Sequence, residues 1–201
     1  MNIQLNFRNQ SSDSHDNQVV IFQRNVAGAT DELAVAWKVI PLTGTSDQYR
    51  FEFPIDNTVD ASDSTGVASE AVPAAAGQLL RATAAQTRLA LAPAGTASHP
   101  EEIQIGNLLA QRTISVAVYK DGALLAIQPH IAPQQKAVFA FNTSLWIGLV
   151  PRIEAGQVID PATLAGLDTE LSLVGIASAD IVMSGGGASA VRFALDNIVR
   201  A

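Results

Sequence analysis

The residues best equipped for chemistry in this chain are three histidines, a few clustered carboxylates and one run of glycines. His15, His99 and His130 stand far apart in loop-like surroundings, and none has a metal-ligand spacing such as His-x-His or His-x-x-x-His. Asp60-Ala61-Ser62-Asp63-Ser64-Thr65-Gly66 places oxygen side chains beside a glycine turn, the raw material of a calcium loop. Its spacing departs from an EF-hand, because Gly66 is seventh and Glu70 eleventh where that motif has glycine sixth and a bidentate Glu twelfth. A solvated turn is the expected reading. Asp13, His15 and Asp16 form a second oxygen-rich cluster, equally explained by loop solvation. The amides of Gly185-Gly186-Gly187 could cradle an anion, but no helix follows to add its dipole, so a turn between strands is expected.

Trp37 and Trp146 have the flat faces that stack on sugars, yet both sit inside apolar strand patterns, which assigns them to the core. The sequence has no Gly-x-Ser-x-Gly elbow, phosphate-binding loop or His-Glu-x-x-His motif. Paired carboxylates for glycoside chemistry are not legible at all, since the separation that matters is spatial. No catalytic, cofactor-binding or metal-ligating residue is therefore assigned. With no cysteine, thiolate chemistry, sulfur-built zinc sites and disulfides are excluded.

Composition narrows the partners. The net charge of −7 and the lack of any basic run argue against nucleic acid and against docking to anionic membranes. Neutral glycans and lipid headgroups stay open. Charged residues make up 15% of the chain, against about 25% in an average soluble domain. The only lysines are Lys38, Lys120 and Lys136, so the usual blunting of sheet edges by lysine is scarce. Residues 1–5 offer neither a positive segment nor an apolar run, and no stretch approaches a membrane-spanning helix, so a cytoplasmic product is expected, with non-classical export left open.

The elements that must position these groups are strands. Ile3, Leu5 and Phe7 alternate with Asn2, Gln4 and Asn6, giving one apolar and one amide face, and residues 8–18 follow as a polar arm. Val19–Phe22, Leu33–Ile40, Tyr49–Phe53, Ile103–Ile105, Ile114–Val118, Leu124–Ile127, Ala137–Phe141, Leu171–Ile176, Ile181–Met183 and Val191–Leu195 read as further strands. Asp121-Gly122 between apolar arms is a hairpin signal. Residues 78–91 have helix propensity, but Leu79 and Leu89/Leu91 sit symmetrically about a polar centre, which points to a hairpin and leaves the helix as the alternative. Leu145–Val150 is apolar on both faces and reads as a central strand or one covered by a partner. One short helix is expected near residues 160–166, with Asp160 as N-cap and Pro161 in the first turn. The fold class is all-β: an antiparallel β-sandwich or jelly roll, drawn as a single domain over residues 1–201.

The blocks Val19–Gln23, Glu32–Ile40, Ile131–Pro133, Gln135–Phe139, Trp146–Gly148, Glu170–Leu173 and Gly175–Met183 resemble a group of bacterial proteins of about this length with no assigned activity. That resemblance implies a bacterial, β-rich protein and carries over no functional residue. Ala71–Ala97 departs most from it.

The leading functional expectation is a non-enzymatic structural protein that self-associates into a homo-oligomer, filament or tube. Ile3, Leu5 and Phe7 on the first strand and Leu145, Ile147 and Leu149 on the doubly apolar one are its candidate contacts. The alternatives are a lectin-like or lipid-headgroup binding module and, third, an enzyme built on carboxylates alone.

Overall fold

The computed structural model describes residues 2–12, 17–28, 33–187 and 189–201. The Asp13, His15 and Asp16 cluster lies outside the described residues. In chain order the strands are β1 (Asn2–Asn9), β2 (Gln18–Phe22), β3 (Leu33–Ala34), β4 (Lys38–Pro41), β5 (Gln48–Pro54), β6 (Asn57–Asp63), β7 (Val72–Ala74), β8 (Gln78–Ala85) and β9 (Arg88–Thr96). They continue as β10 (Ile103–Asn107), β11 (Ile114–Lys120), β12 (Ala123–Ile131), β13 (Lys136–Phe139), β14 (Ser144–Val150), β15 (Thr169–Ser172), β16 (Ile176–Gly186) and β17 (Ser189–Arg200), with the helix α1 (Pro161–Ala165) between β14 and β15. The protein is all-β and sandwich-like.

The strands of the single sandwich drawn from sequence are distributed over two compact units. The first comprises Met1–Gln23, Val35–Ile55 and Thr143–Ala201, and holds sheet I (β17-β16-β1-β5) and sheet II (β15-β14-β2-β4). The second comprises Arg24–Ala34 and Asp56–Asn142, and holds sheet III (β3-β12-β11-β6-β7) and sheet IV (β13-β10-β8-β9). Pairing is antiparallel except between β1 and β16 and between β8 and β10.

Period-two patterning explains sheet I. Ile3, Leu5 and Phe7 are buried while the alternate Asn2, Gln4, Asn6 and Arg8 reach the outer face. Phe51 and Phe53 of β5 and Ile181 and Met183 of β16 are buried in the same phase. Trp37 meets Phe51 and Phe53 edge-on, at centroid separations of 6.0 and 5.8 Å, a favoured aromatic geometry inside a core. The doubly apolar run became β14, central in sheet II, and part of its cover comes from within its own unit. Leu167, just past α1, lies where a Cβ on Gly148 would be, 2.3 Å from Leu167 Cδ2.

The local signals for turns and caps are realised. Asp160 accepts from the Ala162 and Thr163 amides at 2.9 and 3.3 Å, with Pro161 opening the helix where a missing N–H costs nothing. Asp121 and Gly122 have φ of 54° and 69° between Lys120 and Ala123, as a two-residue hairpin turn requires. Residues 78–91 form the hairpin of β8 and β9 and not a helix.

The strand expected over Leu33–Ile40 needs correction. Leu33 and Ala34 pair with β12 in the second unit, and Lys38–Pro41 pairs with β2 in the first. Between them Val35, Ala36 and Trp37 are all buried, so the side chains do not alternate between core and water. Ala36 exchanges backbone hydrogen bonds with Gln157 and Gly156 instead of joining a continuous ladder. The strand expected over Leu171–Ile176 also ends early, at Ser172, because Gly175 turns the chain at φ 68° before β16 begins.

The turn between β16 and β17 yields a graded prediction. Gly185 has φ +87°, and a Cβ there would lie 2.3 Å from the Ala190 carbonyl oxygen, whereas Gly122 has φ +69° and open space around it. In urea titrations Gly185→Ala should lose about 2–3 kcal/mol, from backbone strain plus the clash, and Gly122→Ala about 1 kcal/mol. Equal losses would mean that the clash relaxes away.

Candidate functional site

The outer face of sheet I carries the densest polar network among the described residues. Pairing fixes its rows: Ser178, Gln4 and Glu52 lie side by side, and so do Asp180, Asn6 and Arg50. Asn2 and Gln4 both donate to the Glu52 carboxylate, at 2.6 and 2.9 Å. Asp180 accepts from Asn6 Nδ2 at 2.9 Å, from Arg8 at 3.1 Å and from Asn197 Nδ2 at 2.7 Å. Asn197 reaches inward because the β16–β17 ladder shifts register between Ser178 and Asp180, and Asn197 itself takes a positive φ of 49°. Such bulges re-aim side chains.

These residues line an open groove of about 310 Å3, bounded by Gln4, Asn6, Arg50, Ser178, Asp180 and Asn197. The Asn197 hydrogen bond leads in holding the Asp180 carboxyl below the usual carboxylate range, with Asn6 and Arg8 adding to it and burial opposing. A carboxylate so occupied is a poor general base, since a base needs a pKa near the working pH and a free lone pair. One group stays available for recognition: no acceptor among the described residues pairs with the Arg50 guanidinium, whereas Asn6 Oδ1, which accepts no hydrogen bond, is shielded from solvent.

The carboxylates singled out from sequence serve the second unit's structure. Asp60 and Asp63 are three residues apart in β6, so they point to opposite faces and cannot converge on one ion. Asp63 is buried: its Oδ1 accepts from the Thr65 amide, the Thr65 hydroxyl and the Val67 amide at 2.8, 2.6 and 3.0 Å, and its other oxygen takes Arg112. The Thr65 hydroxyl leads in lowering its pKa. Asp60 accepts from the Tyr119 hydroxyl at 3.0 Å, and burial pushes its carboxyl up while driving the phenol to about 12. Glu70 pairs with Arg88 on the surface. His99 and His130 are exposed, and the glycine run forms the β16–β17 turn.

The candidate association residues are placed as follows. Ile3, Leu5, Phe7, Leu145 and Ile147 are buried in their own unit, and Leu149 is half-buried. β1 is bonded on one edge to β16 and on the other to β5, so the N-terminal strand fills its own sheet and is not a free arm. β14 is likewise held between β15 and β2. The edges that end a sheet lie elsewhere. The longest is β17, whose only strand partner among the described residues is β16.

Asp180, Asn197, Arg8 and Arg50 were not singled out from sequence. Alternation did give the amide face of β1, but Asn6 and Asp180 are 174 residues apart, and no local signal joins them.

Two titrations follow. A carboxyl whose folded pKa is depressed stabilises the protein above its unfolded pKa of ~3.9, and that stabilisation is lost as pH falls through the folded value. The stability gap between wild type and Asp180→Asn should hold from neutral pH down to mildly acidic pH and shrink below ~4. A gap that is flat to low pH would refute the network. Lys120 is the opposite case: it is buried in phase with Val116 and Val118, and burial pushes its ammonium down to about 8, against the opposing pull of Asp56. Between about 8 and the unfolded lysine value the unfolded chain binds more protons, so wild-type stability rises with pH there. Relative to Lys120→Met, wild type should gain about 2 kcal/mol between neutral pH and pH ~10, measured by urea denaturation.

Compared with protein-family models, curated proteins and solved structures, the chain finds no match, and what the site does rests on its own residues.

Proposed function

We propose that the protein is a non-enzymatic structural subunit that associates with copies of itself. The observation that carries this reading is the unfinished edge of sheet I. Phe193 and Leu195 pair with Met183 and Ile181, so they belong to the inward face. Met183 and Ile181 are buried, whereas Val191, Phe193 and Leu195 are only half-buried. β17 has twelve residues, about 40 Å of strand, the longest edge among the described strands. At its far end Ile198 and Val199 are 41% and 55% exposed, and Val174, in the turn before β16, is 66% exposed. A long open edge is what monomeric β proteins avoid, because its backbone groups template pairing, and β17 carries Arg192, Asp196 and Arg200 but no lysine. The shortage of surface charge supports the same reading.

Sedimentation velocity over a concentration series tests it. The expected outcome is a particle heavier than the 21.1 kDa chain that dissociates on dilution. A single 21.1 kDa species up to about 1 mM would overturn it.

A second reading has its own support in the groove. Its volume sits at the low end for small-ligand sites, and its amide, hydroxyl and guanidinium lining, with Arg50 free of a protein acceptor among the described residues, suits the hydroxyls of a saccharide. Under this reading Arg50→Ala abolishes retention of the protein on a glycan array. An array silent with wild type would remove it.

A further inference from the structure

Charge and register together say how β17 would meet a second copy. Arg192, Ala194 and Asp196 share the outer face of β17, opposite Ser184, Val182 and Asp180, and the inner face between them carries Phe193 and Leu195. All three outer residues are exposed. From Arg192 to Asp196 the ladder with β16 is regular; it shifts register on both sides of that stretch, between Ser184 and Gly186 and again at the bulge by Asn197. Arg192, Asp196 and Arg200 thus alternate in sign at four-residue intervals along an open edge.

Resting on the self-association reading, we propose that β17 pairs antiparallel with β17 of a second copy about a two-fold axis through Ala194, fusing the two four-stranded sheets into one. In this register Arg192 lies opposite the partner's Asp196 and Asp196 opposite the partner's Arg192. On the inner face Phe193 lies opposite the partner's Leu195, and the reverse. The axis is perpendicular to the sheet, so outward side chains of both copies stay on one face and the charge pairs form. Directly opposed strand residues interact, opposite charges favourably and like charges unfavourably. The shared edge also satisfies the open backbone groups of both strands and extends the inner apolar face.

Competing registers fare worse. Centred on Asp196, the pairing sets Asp196 against itself and Arg192 against Arg200. Parallel in-register pairing opposes every charge with its like. Centred on Ile198, Asp196 meets Arg200, but the ladder runs through the Asn197 bulge and off the end of the strand at Arg200. Centres at Phe193 or Leu195 bring no opposite charges together. Only the Ala194 axis uses both charges within the regular stretch. The interface is isologous, so it closes as a dimer and does not propagate into a filament.

The chain has no cysteine, which gives a direct test. Residues on the axis have Cα atoms about 4.5–5.5 Å apart, inside the range a disulfide spans. Full-length Ala194→Cys should therefore convert to a covalent dimer under mild oxidation. Ala190→Cys should not, since two copies of residue 190 lie about 26 Å apart in this register. In sedimentation, Arg192→Asp and Asp196→Arg each set like charges opposite one another and should weaken the dimer about tenfold or more. The double variant carrying both changes restores complementarity and should regain wild-type affinity.

A double variant no tighter than the singles, or a 194-cysteine chain that stays uncrosslinked while wild type is dimeric, overturns this register and leaves self-association standing. A wild-type chain that is monomeric throughout overturns both. All the altered side chains are exposed, so circular dichroism of each variant should match wild type.

Discussion

The withdrawal of every second side chain of β1 from water is the constraint on which the first unit depends. Ile3, Leu5 and Phe7 turn to the inner face, while β16 and β5 satisfy the two edges of β1 in parallel and antiparallel pairing. The same alternation sends Asn2, Gln4, Asn6 and Arg8 outward, so the core and the polar groove are two faces of one strand. A slip of one residue would exchange those faces, moving apolar side chains into water and amides into the core. That penalty fixes the register and, through it, the row that sets Asp180 and Arg50 on either side of Asn6.

Polar groups inside each unit obey one rule, that a group taken from water must recover its partners. Asn107 is fully buried and donates to the Arg112 and Ile131 carbonyls while accepting from the Leu109 amide, which pins a loop to the end of β12. Asp63 ends β6 by gathering donors from the turn that follows it. Asn9 does the same after β1, donating to the Gly44 carbonyl and accepting from Ser11. These carboxylates and amides look like ligands in the sequence, but their lone pairs are spent on closing loops. Asn6 Oδ1, in the groove, and Asn57 Oδ1, at the start of β6, depart from the rule.

Sheet margins follow a different logic. β3, β7 and β15 are edge strands of two to four residues, and short edges offer little to template on. β17 is long, apolar on its inner face and carries Arg192 and Asp196 on its outer one. Its bulge at Asn197 interrupts the ladder past Asp196, a second shift lies by Gly186, and the stretch from Arg192 to Asp196 between them is regular. The polar groove and the unfinished edge therefore meet at the same strand, and Asn197 belongs to both.

Much of the local structure was legible in the sequence because its causes are local. Apolar residues at every second position committed the chain to strands, the Asp160-Pro161 cap placed α1, and Asp121-Gly122 placed a hairpin whose two positive φ angles few other pairs tolerate. The run at Leu145–Val150 announced a strand covered on both faces. Tertiary structure alone decided which strands become neighbours, because a period-two pattern specifies a face but no partner. It split Leu33–Ile40 between two sheets, gave β1 two partners within its own chain, and gathered Asn6, Asp180 and Asn197 from opposite ends of the sequence. It also left Val191, Phe193 and Leu195 of β17 only half-buried although their apolar alternation matches that of the fully buried strands.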